Sequence, residues 1–306
     1  MSRPPSQGEH WQPSDNIANE GSHGLLTHAS KIHVSPSQGW FDCDLVIRKT
    51  RRTKSKLHIL FLALWALACA LAIGAEPTPD PKTLPAPKRV VIPKLHGPIK
   101  IDGEFTESVW ANAASLQPFY ENDGSGKERE HTELRLWYDD TALYLGWICR
   151  DTDIQATFTN RDSKFWEEEV VEMFITPKAL NKYFELQWNP LGGVFDAIIT
   201  NTMDASGVSK AFEGDWSFTA KGMKSAVKLK GTPNDSNDKD EFWQVEVMVP
   251  FADLGQPAPK AGDVWRGNFY RFNRTKGLPV EQLSWSPTRL PGFHQPSRFG
   301  LLEFGQ

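Results

Sequence analysis

Cysteine is scarce in this 306-residue chain: there are three, Cys43, Cys69 and Cys149. Two precede residue 76, so the remainder carries a single thiol and no internal disulfide, and a packed core must stabilise it. Metal motifs are equally thin. The eight histidines form no His-x-x-x-His pair, which leaves zinc unsupported. A P-loop and a Gly-x-Gly-x-x-Gly fingerprint are both missing. The run from Asn234 to Asp240 has the composition of a calcium loop. It lacks the glycine at the sixth position, where Asp240 stands, and puts Lys239 at a ligand position. That excludes an EF-hand and leaves a polar hairpin loop. No excess of basic charge exists to hold nucleic acid, because 34 Lys and Arg face 38 Asp and Glu. Long helical periodicity is absent too: only residues 106–114, around Trp110, read as a short helix. A TIM barrel, which needs about 250 residues and eight helices, is excluded.

What charge there is divides unevenly. Residues 1–75 hold 8 basic and 5 acidic side chains, net +3, and residues 76–306 hold 26 and 33, net −7. The boundary coincides with a basic stretch from Arg51 to Lys56, an apolar run from Leu57 to Ala75 broken only by His58, and a close on Ala72-Ile-Gly-Ala75. This is the pattern of a secretory signal over residues 51–75. Two alternatives stay open: the run is nearly long enough to remain as a membrane anchor, and Leu67-Ala-Cys69 is a weak lipoprotein signal. Residues 1–50, rich in Ser, Pro, Gly, His and Asn without a period of 2 or 3.6, read as lacking a packed core or as an over-extended start. Residues 76–88 hold five prolines between Pro77 and Pro87, which predicts an extended linker. The expected location of the body is therefore secreted, periplasmic or at the cell surface.

The body, residues 89–306, is a succession of short runs of β-branched and aromatic residues: 89–95, 132–138, 142–150, 170–176, 183–189, 194–200, 242–249, 265–273 and 299–304. Turn formers separate most of them. Many strands with no helix of 10–15 residues between them predict an all-β fold, an antiparallel β-sandwich of jelly-roll or immunoglobulin-like kind with one or two short helices. Faces can be assigned by alternation. Trp243, Val245, Val247 and Val249 point one way, and Gln244 and Glu246 the other. Cys149, in step with Leu143, Leu145 and Trp147, reads as a buried small hydrophobe rather than a nucleophile.

The densest polar and aromatic cluster is Lys164 to Pro177. Trp166 stands before the strand, beside three glutamates and outside any alternating apolar register. An aromatic face flanked by acceptors suits a sugar, whose C–H groups stack on the ring while its hydroxyls donate to carboxylates. A lid over the core is the other reading of Trp166. Along 168–176, Val171, Met173 and Ile175 share one face, with Glu168, Val170, Glu172 and Phe174 on the other. On 183–189, Tyr183, Glu185, Gln187 and Asn189 alternate with Phe184, Leu186 and Trp188. Paired with polar faces together, these strands place Glu172, Glu185 and Gln187 on one patch. That patch is a binding surface, a solvated sheet face, or the carboxylate pair of a retaining glycosidase, whose two groups lie about 5–5.5 Å apart.

Seven segments in order, IDGEFTESVW (101–110), LWYDDTALYL (136–145) with Asp151, WEEEVVEMFI (166–175), WQVEVMVP (243–250), GNFYRFN (267–273), SWS (284–286) and FHQPSRFG (293–300), resemble carbohydrate-binding module family 9, a β-sandwich of the DOMON-like group. The resemblance implies a non-catalytic module that holds a sugar ring between two aromatic side chains, in binding of xylan- or cellulose-type polysaccharide. By position it implies Trp166 as the first platform, Phe293 as the second with Trp285 nearby, and Glu172, Gln187 and Arg271 as hydrogen-bonding groups. Glu185 falls where a characterised relative carries a basic residue. Structural calcium is an implied cofactor, with no ligands assignable in this sequence, and a glycoside hydrolase acting in trans is an implied partner. DOMON-like relatives also include haem-binding electron-transfer domains, for which Met173, Met248, His131 and His294 are the candidate ligands. On this reading, N-terminal sequencing of exported protein returns a chain beginning near Glu76. A mature chain beginning before Lys56 overturns the shortened start.

Overall fold

The computed structural model describes residues 78–306. The extension expected over 1–50 and the export signal expected over 51–75 lie outside the described residues. Alternation of apolar and polar side chains sets the strands: β1 (Arg89–Ile92), β2 (Ala114–Leu116), β3 (Tyr120–Glu121), β4 (Thr132–Tyr138), β5 (Ala142–Arg150), β6 (Val170–Thr176), β7 (Lys182–Trp188), β8 (Val194–Met203), β9 (Ser209–Asp215), β10 (Lys224–Lys230), β11 (Phe242–Pro250), β12 (Val264–Asn273), β13 (Glu281–Ser284) and β14 (Gly300–Phe304). Helical structure among the described residues is confined to short 3₁₀ turns. The helix expected at 106–114 is one of them, Ser108–Asn112, whose N-cap Glu107 makes no side-chain capping bond. All nine sequence-predicted strands form. The five that were not predicted, β2, β3, β9, β10 and β13, are short or carry few large apolar residues.

The strands make a β-sandwich. One sheet runs β1-β14-β12-β6-β7-β8-β9, with β13 joined to β12 and β3, and the other runs β10-β11-β5-β4-β2. Pairing is antiparallel except between β1 and β14. Between the sheets, Val171, Met173, Ile175, Leu186, Trp188 and Phe269 meet Leu134, Leu145, Trp147, Trp243, Val245 and Val247. Cys149 is fully buried in this core, and burial pushes its thiol up to about 12, so it is an inert hydrophobe. The outward-facing Glu246 is buried as well. It accepts from the Asp102 and Gly103 amides, both at 2.9 Å, and from the Trp110 indole at 3.0 Å, which fastens the segment before β2 over the outer face of its sheet. The polar run 234–240 connects β10 to β11, an antiparallel pair. Asp240 accepts from Thr232 N at 2.6 Å and Ile154 N at 2.7 Å there.

Three expectations differ from what forms. The described part of the Pro-rich linker is not a bare extended spacer. It makes a turn at Pro81–Thr83, and the buried Arg298 guanidinium donates to the carbonyls of Pro81 and Pro85. Proline fixes φ and removes N–H groups, but it leaves the carbonyls available to this clamp. Arg271 does not face a ligand surface. It is fully buried on the core side of β12, donating to Thr132 Oγ1, Arg150 O and Asn273 Oδ1, each at 3.0 Å, and to Asp151 at 2.8 Å, with Glu169 at 3.7 Å. Trp285 likewise sits in the core, edge-on to Phe269 with centroids 5.9 Å apart. Its ring covers Gly300, where a Cβ would come within 2.3 Å of it.

Replacing Arg271 with Met removes the only guanidinium described between Asp151 and Glu169 and strands two buried carboxyls. Breaking such a pair costs about 3–5 kcal/mol. The urea midpoint of Arg271→Met should fall accordingly; a change below about 1 kcal/mol contradicts the structural role.

Candidate functional site

Register builds the site. On the face of β12, β6, β7 and β8 turned away from the core, Tyr270, Glu172, Gln187 and Phe195 lie in one cross-strand row, and Phe174, Glu185 and Ala197 lie in the next. This face is not left to solvent. Phe165, Val170, Phe174, Tyr183, Phe195, Ile199, Tyr270, Phe293 and Phe299 form a second apolar cluster upon it. The cluster leaves a cavity of about 420 Å³ whose lining includes Trp166, Glu172, Glu185, Gln187, Phe212, Trp216, Phe293 and His294. That volume lies within the range of small-ligand pockets, roughly 300–1,000 Å³.

Of the seven residues expected at a sugar site, the cavity gathers Trp166, Glu172, Glu185, Gln187 and Phe293, and it excludes Arg271 and Trp285. Trp166 is held in the turn Phe165–Glu167 by its buried neighbour Phe165. Arg274 clamps the turn, donating to Trp166 O at 2.7 Å and Glu168 O at 3.0 Å. The glutamates adjacent in sequence point elsewhere. Glu168 accepts from the amides of Thr157 and Phe158 at 2.6 and 3.0 Å, and Glu169 is buried beside Arg271. The acceptors near Trp166 come instead from β6 and β7. Phe293 lies flat on Tyr270, with centroids 4.1 Å apart and planes 11° apart, and is 6% exposed. It is a wall of the cavity rather than an open ring face.

Two aromatic residues that sequence reasoning passed over complete the rim. Trp216 and Phe212, 45% and 49% exposed, rise from β9 and the turn after it. Trp216 stands edge-on to Trp166 at 5.9 Å and to Phe195 at 5.4 Å. Gly214 makes room for it, because a Cβ there would come within 2.6 Å of the indole nitrogen. Phe212 stacks on His294 at 3.6 Å. The available signal was two large aromatics in an otherwise polar strand, with no apolar partners in step to bury them.

Burial governs the electrostatics. It raises Glu172 well above the usual carboxylate range, with the facing Glu185 adding to the shift, and it pushes Glu185 up to about 8. Gln187 donates to Glu185 Oε1 at 2.6 Å. His294 is driven down to about 3 by burial, so its imidazole is neutral. Its Nδ1 lies 2.7 Å from the Tyr183 hydroxyl, which also receives Asn201 Nδ2 at 3.4 Å. The other ring nitrogen, Nε2, lies 3.9 Å from Glu185. A neutral ring at that distance makes no ion pair. Met173 is sealed between the sheets and Met248 packs on the outer face of the other sheet, so neither reaches this cavity. Among the described residues, no three or more His, Cys, Asp or Glu side chains are grouped to hold a metal, and no calcium site is assigned.

A structure of similar fold is that of a candidate carbohydrate-binding protein from Bacteroides uniformis, 21% identical, covering 72% of this chain and all of the other at a TM-score of 0.58. A family 9 carbohydrate-binding module from Caldicellulosiruptor kristjanssonii, in complex with cellotriose, is 17% identical over 71% of this chain and 94% of its own, at a TM-score of 0.47. No curated protein matches the chain. The sequence pattern described as Carbohydrate-binding family 9 matches residues 127–304, from just before β4 to the end of β14 and so more than half the chain, and the protein belongs to that family of non-catalytic carbohydrate-binding modules.

Proposed function

We propose that the cavity on the outer face of β6, β7 and β8 is the sugar site and that it binds without breaking a bond. The observation that carries this reading is the pairing of an aromatic rim with a buried polar floor: half-buried Trp166 and exposed Trp216 and Phe212 above, Glu172, Glu185 and Gln187 below. A pyranose presents apolar C–H faces and polar edges, so ring faces take the former and amide and carboxyl groups the latter. Trp166 and Trp216 stand at 75° to one another, so they bracket a ring from two sides rather than sandwich it in parallel. The side chains that touch the sugar stand on paired strands and a clamped turn, so little ordering entropy is lost on binding.

In this reading the module is exported and serves polysaccharide catabolism, holding xylan- or cellulose-type chains for a glycoside hydrolase that acts in trans. Cleavage by the module itself is disfavoured by the environment of its carboxyl pair. A retaining glycosidase needs one carboxyl protonated and the other ionised, which requires surroundings that push the two apart. Here burial raises both Glu172 and Glu185.

Trp166→Ala and Trp216→Ala should each weaken retention on polysaccharide by about 2 kcal/mol or more, roughly thirtyfold, in affinity electrophoresis. Near-UV circular dichroism and the urea midpoint serve as the check on folding. Unchanged retention in both folded variants refutes the site. Glu172→Gln should weaken binding with no hydrolytic rate to lose; glycosidic cleavage by the parent protein, abolished in that variant, transfers the case to a hydrolase.

A further inference from the structure

We infer that the sugar held in this cavity carries a positive charge: the site selects an amino sugar whose free ammonium sits among Glu172, Glu185 and Gln187. This rests on the sugar-site reading and departs from it in ligand class, since xylan and cellulose carry no amine.

Three acceptors converge on the floor with almost nothing to accept. Glu172 is 2% exposed and has no hydrogen-bond partner among the described residues. Glu185, 6% exposed, receives only the Gln187 amide. The carbonyl oxygen of Gln187 is buried and unpartnered among the described residues. Two other buried carboxyls in this domain are matched with donors: Asp151 has Arg271, and Glu246 has two amides and an indole. No Lys or Arg is among the residues lining the cavity, and His294 is neutral. An alkylammonium has three donors and one positive charge, which fits three acceptors of which two are acidic. An aromatic rim is compatible with the choice, because indole and phenyl faces attract a cation through their ring quadrupoles. A neutral hexose offers hydroxyl donors but no charge to favour the ionised form of the two carboxyls.

The groups that face the two carboxyls are Gln187 and Tyr183 on β7, Tyr270 on β12 and His294 on the loop before β14. Burial holds both tyrosines above their usual range, and so uncharged. The empty site therefore keeps protons on its carboxyls, and an incoming ammonium displaces them. Affinity for the amino sugar should rise with pH from about 5 toward 7, as proton release becomes easier. It should fall again as the amine itself deprotonates; an α-amino group does so at roughly 7.7–8.0.

Titration calorimetry of residues 76–306 released from the exported chain, with glucosamine, N-acetylglucosamine, glucose and cellotriose at pH 6.5, tests this directly. Glucosamine should bind on the order of tenfold tighter than glucose or N-acetylglucosamine, the scale of a charge-assisted contact. The glucosamine-to-glucose affinity ratio should collapse toward one in both E172Q and E185Q. Runs in buffers of different ionisation enthalpy should register proton release with glucosamine and none with glucose. Glucose or cellotriose binding as tightly as glucosamine overturns the charge selection and leaves the sugar site standing. Binding of none of the four sugars overturns the sugar site and this inference with it.

Discussion

Side chains on a strand alternate between two faces, and across β12, β6, β7 and β8 that alternation is pinned by the core on one side. Val171, Met173 and Ile175 must face the opposite sheet, as must Leu186 and Trp188. A slip of one residue in β6 would take the first three out of the core and drive Glu172 into the apolar interior. The dry core thus holds Glu172, Glu185 and Gln187 in register on the other face. The polar floor follows from apolar packing that it does not itself touch.

The second face is unusual for an antiparallel sheet. Such faces are commonly left to water, but here aromatic residues from β6, β7, β8, β12 and the segment before β14 cover it. That cover sets the character of the cavity. It excludes water from two carboxyls and raises them, and it turns a neutral imidazole toward one of them. Where the cover thins, Trp216 and Phe212 are left with open ring faces, so burial and exposure divide the work between floor and rim.

Buried charge is handled in two ways in the same sheet. On the core side, Arg271 is fully enclosed with Asp151 and Glu169, and three further polar contacts fix its position in the sandwich. On the outer side, Glu172 and Glu185 have no such cation. The first pairs a cation with carboxyls inside the chain, with Arg271 Nε and Glu169 Oε2 left unpartnered among the described residues. The second takes one donor from the chain, the Gln187 amide, and lies in a protein whose family binds carbohydrate.

Much of this was legible beforehand, because period-two alternation is a local property. It marked nine strands, the two faces of β6 and β7, and the common patch of Glu172, Glu185 and Gln187. It could not mark β9 and the turn after it, where Phe212 and Trp216 stand in an otherwise polar run, nor Arg271, which a local pattern cannot tell from a ligand-reading arginine. Those outcomes depend on which distant segments come to rest against a strand: Asp151 from the end of β5 reaches Arg271, and the segment before β14 brings Phe293 and His294 over β6 and β7. Sequence alone determined which side chains share a face, since that is fixed by the chirality and pleat of a strand. Only the tertiary structure decided which face is sealed, which is capped and which stays open, because burial is a property of neighbours.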